Sequence, residues 1–278
     1  EGFVATANDE LNPPGGPLAV NLPMGPYRVE RIRELLAARD DHDVAGMAVV
    51  QNDLLSLQAV RILELWRPLL PDSLAGRLLA GWDCRYDTGS RGATLFEAVY
   101  HAVLRDLFGR RLLAPEAWDA LVEETAIVAD YSHLFDAVLL DDDPFWWGEN
   151  GREAVLRAVL DEKLGEADPF DLMPWGRRRR VMMENIFFGG RLPRLLGFDY
   201  GPIELPGGRA TIVQGGLFTA YGRLTSFAPS WRYIADLGAD EVHTALAGGP
   251  SGRRLSRWYT TDIARWLKGE YKVIDTGG

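Results

Sequence analysis

Gly2-Phe3-Val4-Ala5-Thr6-Ala7-Asn8-Asp9-Glu10, followed by the turn-rich Asn12-Pro13-Pro14-Gly15-Gly16, is the stretch whose reading decides the fold. Phe3 to Ala7 are small, β-branched or aromatic and carry no charge, which predicts a strand buried on both faces. Such a strand requires hydrogen-bonding neighbours on both edges. The next strand-like residues lie near position 181, so the segment is expected to pair with the far end of the chain or with another chain. A chain that opens inside a strand also implies that a preceding part has been removed. Asn8, where the strand runs out, carries an amide that both donates and accepts hydrogen bonds. An uncharged N–H held beside a place where negative charge develops is an oxyanion-hole donor. The same residue type also closes Asx turns, and composition leaves both readings open.

The chain has 278 residues, 47% hydrophobic and 25% charged, enough for one large or two smaller domains with a sizeable core. A net charge of −10 argues against nucleic acid and against an anionic membrane as partners, since both select basic patches. The Arg177-Arg178-Arg179-Arg180 run is the exception and reads as a solvated face. Cys84 is the only cysteine, which excludes an internal disulfide, a cysteine-based zinc site and a CxxC redox pair. No apolar run reaches the ~18 residues of a membrane helix, and the first residues show no basic-then-apolar signal pattern. His42, His101, His133 and His243 are scattered without metal-ligand spacing.

Helical periodicity dominates the middle of the chain. It predicts a helix over Tyr27–Arg39, a longer one from Met47 to Leu69 ended by Pro71, and a short one to Ala80 capped by Asp72-Ser73. It resumes over Ala93–Phe108, Pro115–Glu124 and Gly151–Leu164, with Asp141 to Trp147 as a loop. In that loop the three aspartates lack the alternating ligands of a calcium loop. Phe145, Trp146 and Trp147 suit core packing better than a sugar-stacking platform. From about residue 181 glycine and proline become frequent, and strands are expected at Thr211–Val213, Ser230–Asp236 and Val242–Ala245, before a helix over Tyr259–Leu267 ended by Gly269.

Several motifs carry a family resemblance. Val4-Ala5-Thr6-Ala7-Asn8, Tyr27-Arg28-Val29-x-x-Ile32 and Gln51-x-Asp53-x-x-Ser56 come first. Trp82-Asp83 with Ser90-Arg91-Gly92-Ala93-Thr94-Leu95-Phe96 follows, then Trp175-Gly176. The tail adds Ser230-Trp231-Arg232-x-x-x-Asp236-Leu237, Gly249-Pro250-Ser251-Gly252 and Trp266-Leu267-x-Gly269-Glu270-Tyr271. In this order and spacing they resemble the penicillin acylase family of N-terminal-nucleophile amidohydrolases, over nearly the whole chain. The resemblance implies an α+β fold, part of an αββα N-terminal-nucleophile hydrolase sandwich with a large inserted helical region. Residues 1–30 and 176–278 would belong to the sandwich and residues 31–175 to the insertion.

The resemblance further implies a precursor that cuts itself to expose an amino-terminal Ser on a long β subunit, of which this chain resembles the carboxy-terminal half. Its partners would be the upstream α subunit and the amino-terminal half of the β subunit, its substrate a small N-acyl compound, and its location periplasmic or extracellular. Glu1 cannot be the nucleophile, so the chain by itself is expected to be inactive. Asn8 matches the family's oxyanion-hole Asn, and Arg28 the Arg close to the nucleophile's amino group, where it would orient polar groups and keep an amine unprotonated. No cofactor is expected. The family's calcium-liganding Asp has no counterpart between Leu11 and Tyr27, where Asn21 stands but no carboxylate. Pro250 replaces the usual Gln, and Arg177 to Arg180 with Asn185 stand where His residues are common; both read as structural variation. A reading from another class, suggested by nine Trp and many carboxylates, is a helical carbohydrate-binding or carbohydrate-degrading module.

Overall fold

The computed structural model describes residues 2–12, 15–16, 21–185, 187–220 and 223–277. Helices come first and strands last. The helices are α1 (Tyr27–Ala37), α2 (Val44–Gln51), α3 (Leu57–Trp66), α4 (Leu74–Ala80), α5 (Arg91–Leu104), α6 (Pro115–Glu124), α7 (Ile127–Asp130), α8 (Ser132–Leu140), α9 (Pro144–Trp147), α10 (Gly151–Leu164) and α11 (Trp175–Arg178). The strands are β1 (Arg180–Met183), β2 (Tyr200–Glu204), β3 (Gly216–Ala220), β4 (Arg223–Phe227), β5 (Trp231–Asp236) and β6 (Glu241–Leu246). Helix α12 (Ile263–Lys268) and strand β7 (Lys272–Asp275) complete the chain. All described pairings are antiparallel, β1 with β2, β3 with β4, and β5-β6-β7.

Local chemistry sets several helix boundaries. Asp43, Ser56, Ser73 and Ser90 each accept the backbone N–H three residues on, starting α2, α3, α4 and α5. Gly269, in the left-handed region at φ 71°, ends α12. The apolar stripes of α3, α5 and α10 then close on one core that includes Ile62, Leu63, Trp66, Phe96, Tyr100 and Leu160. Trp66 and Trp82 both lean on Phe96, with ring centroids 5.5 and 5.4 Å away. A smaller core gathers Leu205, Ala245 and Trp266 beneath the late strands.

The motif residues of the middle segment are the joints between these parts. Gln51 donates from Nε2 to the Tyr233 carbonyl at 2.8 Å and accepts from the Tyr271 hydroxyl at 2.8 Å. Asp53 takes both arms of Arg31 at 3.1 Å, tying α1 to the α2–α3 corner, while its carbonyl accepts from Val213 N. The Trp175 indole donates to the Gly207 carbonyl at 2.8 Å. Gly92 sits in the first turn of α5, where an added Cβ would press into the Trp82 indole. Gly92→Ala is therefore expected to destabilise the fold by about 1–3 kcal/mol. A urea-unfolding midpoint lowered at unchanged m value checks this.

Several expectations are corrected. Residues 2–6 form no strand, pair with none of the described sheets, and Val4 is 93% exposed. An apolar run specifies a strand only when a ladder partner is at hand, and the late strands pair with one another. Both ends of the chain therefore do not share a sheet. Thr211–Val213 is a bend, because Thr211 Oγ1 donates to the Gly208 and Val213 carbonyls in place of a ladder. The helix expected over 47–69 breaks at Asn52–Ser56, where Asp53 and the Ser56 cap redirect the backbone. Helices α7, α8, α9 and α11, strands β2 to β4 and strand β7 were not anticipated, β1 lies where strand-like residues were expected near position 181, and α12 starts four residues later than expected. Arg179 does not lie on a solvated face: it is buried and donates to the Pro206 and Phe227 carbonyls. Asp143 caps the short helix α9 by accepting from Phe145 N, and within the aromatic triplet Trp147 is buried.

Candidate active site

Asn8 and Arg28 meet. Asn8 has a left-handed backbone with φ 58°, a conformation Asn adopts more readily than most residues, and this turns its side chain out of line with the preceding residues. The turn is held on three sides. The Met24 N–H donates to the Asn8 carbonyl at 2.8 Å, the Ala7 N–H to Asp9 Oδ1 at 2.9 Å, and Asn21 Nδ2 to the Asp9 carbonyl at 2.7 Å. Asp9 is buried and lies 3.7 Å from the Arg33 guanidinium.

Arg28 reaches this turn from the first turn of α1. One guanidinium nitrogen, Nη2, donates to the Ala7 carbonyl at 2.8 Å and to Asn8 Oδ1 at 2.9 Å. Partial burial lowers the Arg28 pKa from the ordinary arginine value, and the Asp9 charge opposes the shift, so the side chain stays cationic at neutral pH. A cation bonded to Oδ1 fixes which way the Asn8 amide points. Its Nδ2 donor then faces away from the guanidinium and has no hydrogen-bond partner among the described residues. The two residues named from the sequence are thus placed in direct contact. Their supports, Asp9 and Asn21, carry no local signal beyond a turn-rich composition and were not singled out for this.

Behind Arg28 lies a buried polar layer that sequence reasoning also missed. Asp136 on α8 is 0% exposed and accepts from the Tyr27 hydroxyl at 2.9 Å, the Tyr100 hydroxyl at 2.8 Å and Gln58 Nε2 at 2.7 Å. Burial raises its carboxyl to about 6 against the pull of these three donors. Next to it Arg209 is bonded to Glu97, stacks over the Tyr100 ring at 4.8 Å, and lies beside His101, whose burial lowers its pKa to about 4. Asp136 shares a helix face with buried Ser132 and Leu139, and a carboxylate on such a stripe was the available signal.

Asn21 stands in the segment where the resemblance would put a calcium-liganding Asp. Asn21, the only candidate singled out, has its amide committed to the Asp9 carbonyl and the Leu11 N–H. Among the described residues no group of three or more His, Cys, Asp or Glu side chains is placed to hold a metal ion.

Known proteins resemble this chain along almost its whole length. The family model "Penicillin amidase" matches residues 1–277. The chain is 28% identical over 320 residues to acyl-homoserine lactone acylase QuiP of Pseudomonas aeruginosa, covering 98% of this chain and 37% of that protein. It is 27% identical over 263 residues to penicillin acylase 2 proenzyme of a Pseudomonas species, covering 87% of this chain and 32% of that protein. The chain thus spans about a third of the length of the curated relatives it matches. Among solved structures, a thermostable penicillin G acylase from Alcaligenes faecalis superposes with TM-score 0.53 at 15% identity, over 96% of this chain and 53% of that one. That likeness bears out the expected α+β fold. With the family model matching almost every residue, the chain belongs to the penicillin amidase family.

Proposed function

We propose that this chain supplies the oxyanion-hole portion of an amidohydrolase that cleaves linear N-acyl amides by acyl transfer. It would form the carboxy-terminal half of the β subunit. The nucleophilic Ser and its α-amino base would come from the preceding half of that subunit, which with the α subunit makes up the partners. The carrying observation is the 2.9 Å bond from Arg28 Nη2 to Asn8 Oδ1, which turns the neutral amide donor outward. When the nucleophile adds to an amide carbonyl, its oxygen becomes an anion, and a preoriented N–H stabilises that charge without reorganising. Arg28 provides the orientation. Its positive charge, next to a free-amine base, also favours the unprotonated amine.

The unpaired residues 2–6, with Val4 exposed, fit a segment that completes its ladder on a partner's sheet edge. The relatives' names point to two leaving amines, the homoserine lactone amine and the penicillin nucleus. Both leave an amine after cleavage of a linear amide, which makes N-acyl compounds of that kind the substrates to assay. The carbohydrate reading loses its main support, since Trp66, Trp147, Trp175 and Trp266 are packed in the interior.

The purified chain alone is expected to release no acyl product from penicillins or N-acyl homoserine lactones, because a donor without a nucleophile starts no acyl transfer. A burst of product that disappears in Asn8→Ala would show that the nucleophile lies within this chain. The complete processed enzyme containing this chain is the species in which the site's rate effects are measured.

A further inference from the structure

We propose that buried Asp136 is a positioning residue for the Asn8–Arg28 pair, acting through Tyr27 and making catalysis depend on Asp136 being ionised. The inference rests on the proposed role of that pair. It starts from how α1 is held. The residue preceding α1, Pro26, makes no side-chain cap, so the first turn lacks the side-chain bond that starts α2 to α5. Tyr27 is the first residue of α1 and its hydroxyl reaches across to Asp136, while Arg28, the next residue, reaches the other way to Ala7 and Asn8. The turn that aims Arg28 is thus anchored by the bond of the residue next to it.

Helix α8 grips the same turn a second time. Gly25, at φ 96°, lies so close to His133 that an added Cβ would come within 2.7 Å of the His133 Cβ. Gly25 and Tyr27, one on each side of Pro26, are both seated on α8, and Arg28 follows directly. Movement of α8 or loss of the Tyr27 bond displaces the guanidinium. Displacement of a catalytic group by about 1 Å can lower a rate by roughly a hundredfold.

The charge state of Asp136 sets the strength of this anchor. As a carboxylate it accepts all three donors, and its bond to Tyr27 is charge-assisted. Protonation turns it into a neutral group that must also donate. Gln58 Oε1, buried and unpartnered, is the acceptor available after an amide flip, and the Tyr27 bond is left neutral and weaker. The groups facing Asp136 are Tyr27 on α1, Gln58 on α3, Tyr100 on α5 and Arg209 from the segment before β3. Glu97 neutralises Arg209, and Arg61 sits over the Tyr27 ring at 5.4 Å. Desolvation outweighs the help of these partners and places the titration at about 6, just below neutrality. The ionised form persists above that value and is lost as pH falls through it.

The experiment is the pH profile of kcat and KM for the complete processed enzyme and its Asp136→Asn and Tyr27→Phe variants, with near-ultraviolet circular dichroism on each. Wild type is expected to show an acid limb near pH 6 in kcat. Tyr27→Phe, which keeps the ring and removes only the bond, is expected to lower kcat at pH 8 by roughly tenfold with KM within about twofold. Asp136→Asn is expected to be similarly slow and to lack the component near pH 6, leaving only the limb of the amine base. A limb unchanged in Asp136→Asn, or wild-type kcat in a folded Tyr27→Phe, overturns the proposal. Asn8→Ala in the same assay separates the two levels. Full activity there removes the site reading itself, whereas its loss alongside an unchanged limb removes Asp136 alone.

Discussion

In the complete enzyme, Asn8→Ala is expected to lower kcat by roughly a hundred- to a thousandfold while leaving KM nearly unchanged. The amide Nδ2 faces a charge that exists only after the nucleophile has added to the carbonyl, so its removal leaves ground-state binding intact and raises the barrier. The left-handed turn at Asn8 is held by backbone bonds from Met24 and by Asp9, none of which needs the Asn8 side chain. Truncation should therefore leave the turn in place. Steady-state kinetics on folded wild type and variant check the expectation. An equal kcat would return Asn8 to the role of a turn residue.

The second large effect is expected at Arg28. Arg28→Lys keeps the positive charge, but the shorter side chain draws the ammonium back from the position of Nη2, the one nitrogen that bridges the Ala7 carbonyl and Asn8 Oδ1. With Oδ1 released the amide is free to flip, and half of its orientations present an oxygen instead of a donor to the developing anion. A loss in kcat of roughly ten- to a hundredfold is expected, smaller than that of Asn8→Ala because the donor is misdirected and not removed. The charge near the amine base is retained, so the pH dependence arising from that base should shift little. A kcat within twofold of wild type would place Arg28 outside the site.

Much of this was legible in the sequence, but unevenly. Helix starts at Ser73 and Pro115 and the stop at Gly269 were readable because capping is decided within a few residues. The family motifs, read in order, gave Asn8 and Arg28 as a pair. What was not readable depends on residues far apart. The strand expected at Phe3–Ala7 had the right composition, yet a strand exists only against a neighbour, and none of the described strands pairs with it. Arg179 looked like surface within a run of four arginines, because the carbonyls that hold it belong to Pro206 and Phe227. The apolar periodicity from Met47 to Leu69 continues unbroken through Asp53, and only Arg31 and Val213 show why the helix stops there. Asp136 was hidden for the same reason: its three donors come from three other helices.

The central claim is that Arg28 serves catalysis by orienting the Asn8 amide. A double-mutant cycle in kcat tests it most directly, comparing wild type, Asn8→Ala, Arg28→Lys and the double variant of the complete enzyme. If Arg28 acts through Asn8, the Lys substitution should lower kcat by less than about threefold once Asn8 is already Ala. Losses that multiply in full, so that the double variant is slower than Asn8→Ala by the whole Arg28→Lys factor, would contradict the account and show that the two residues act independently.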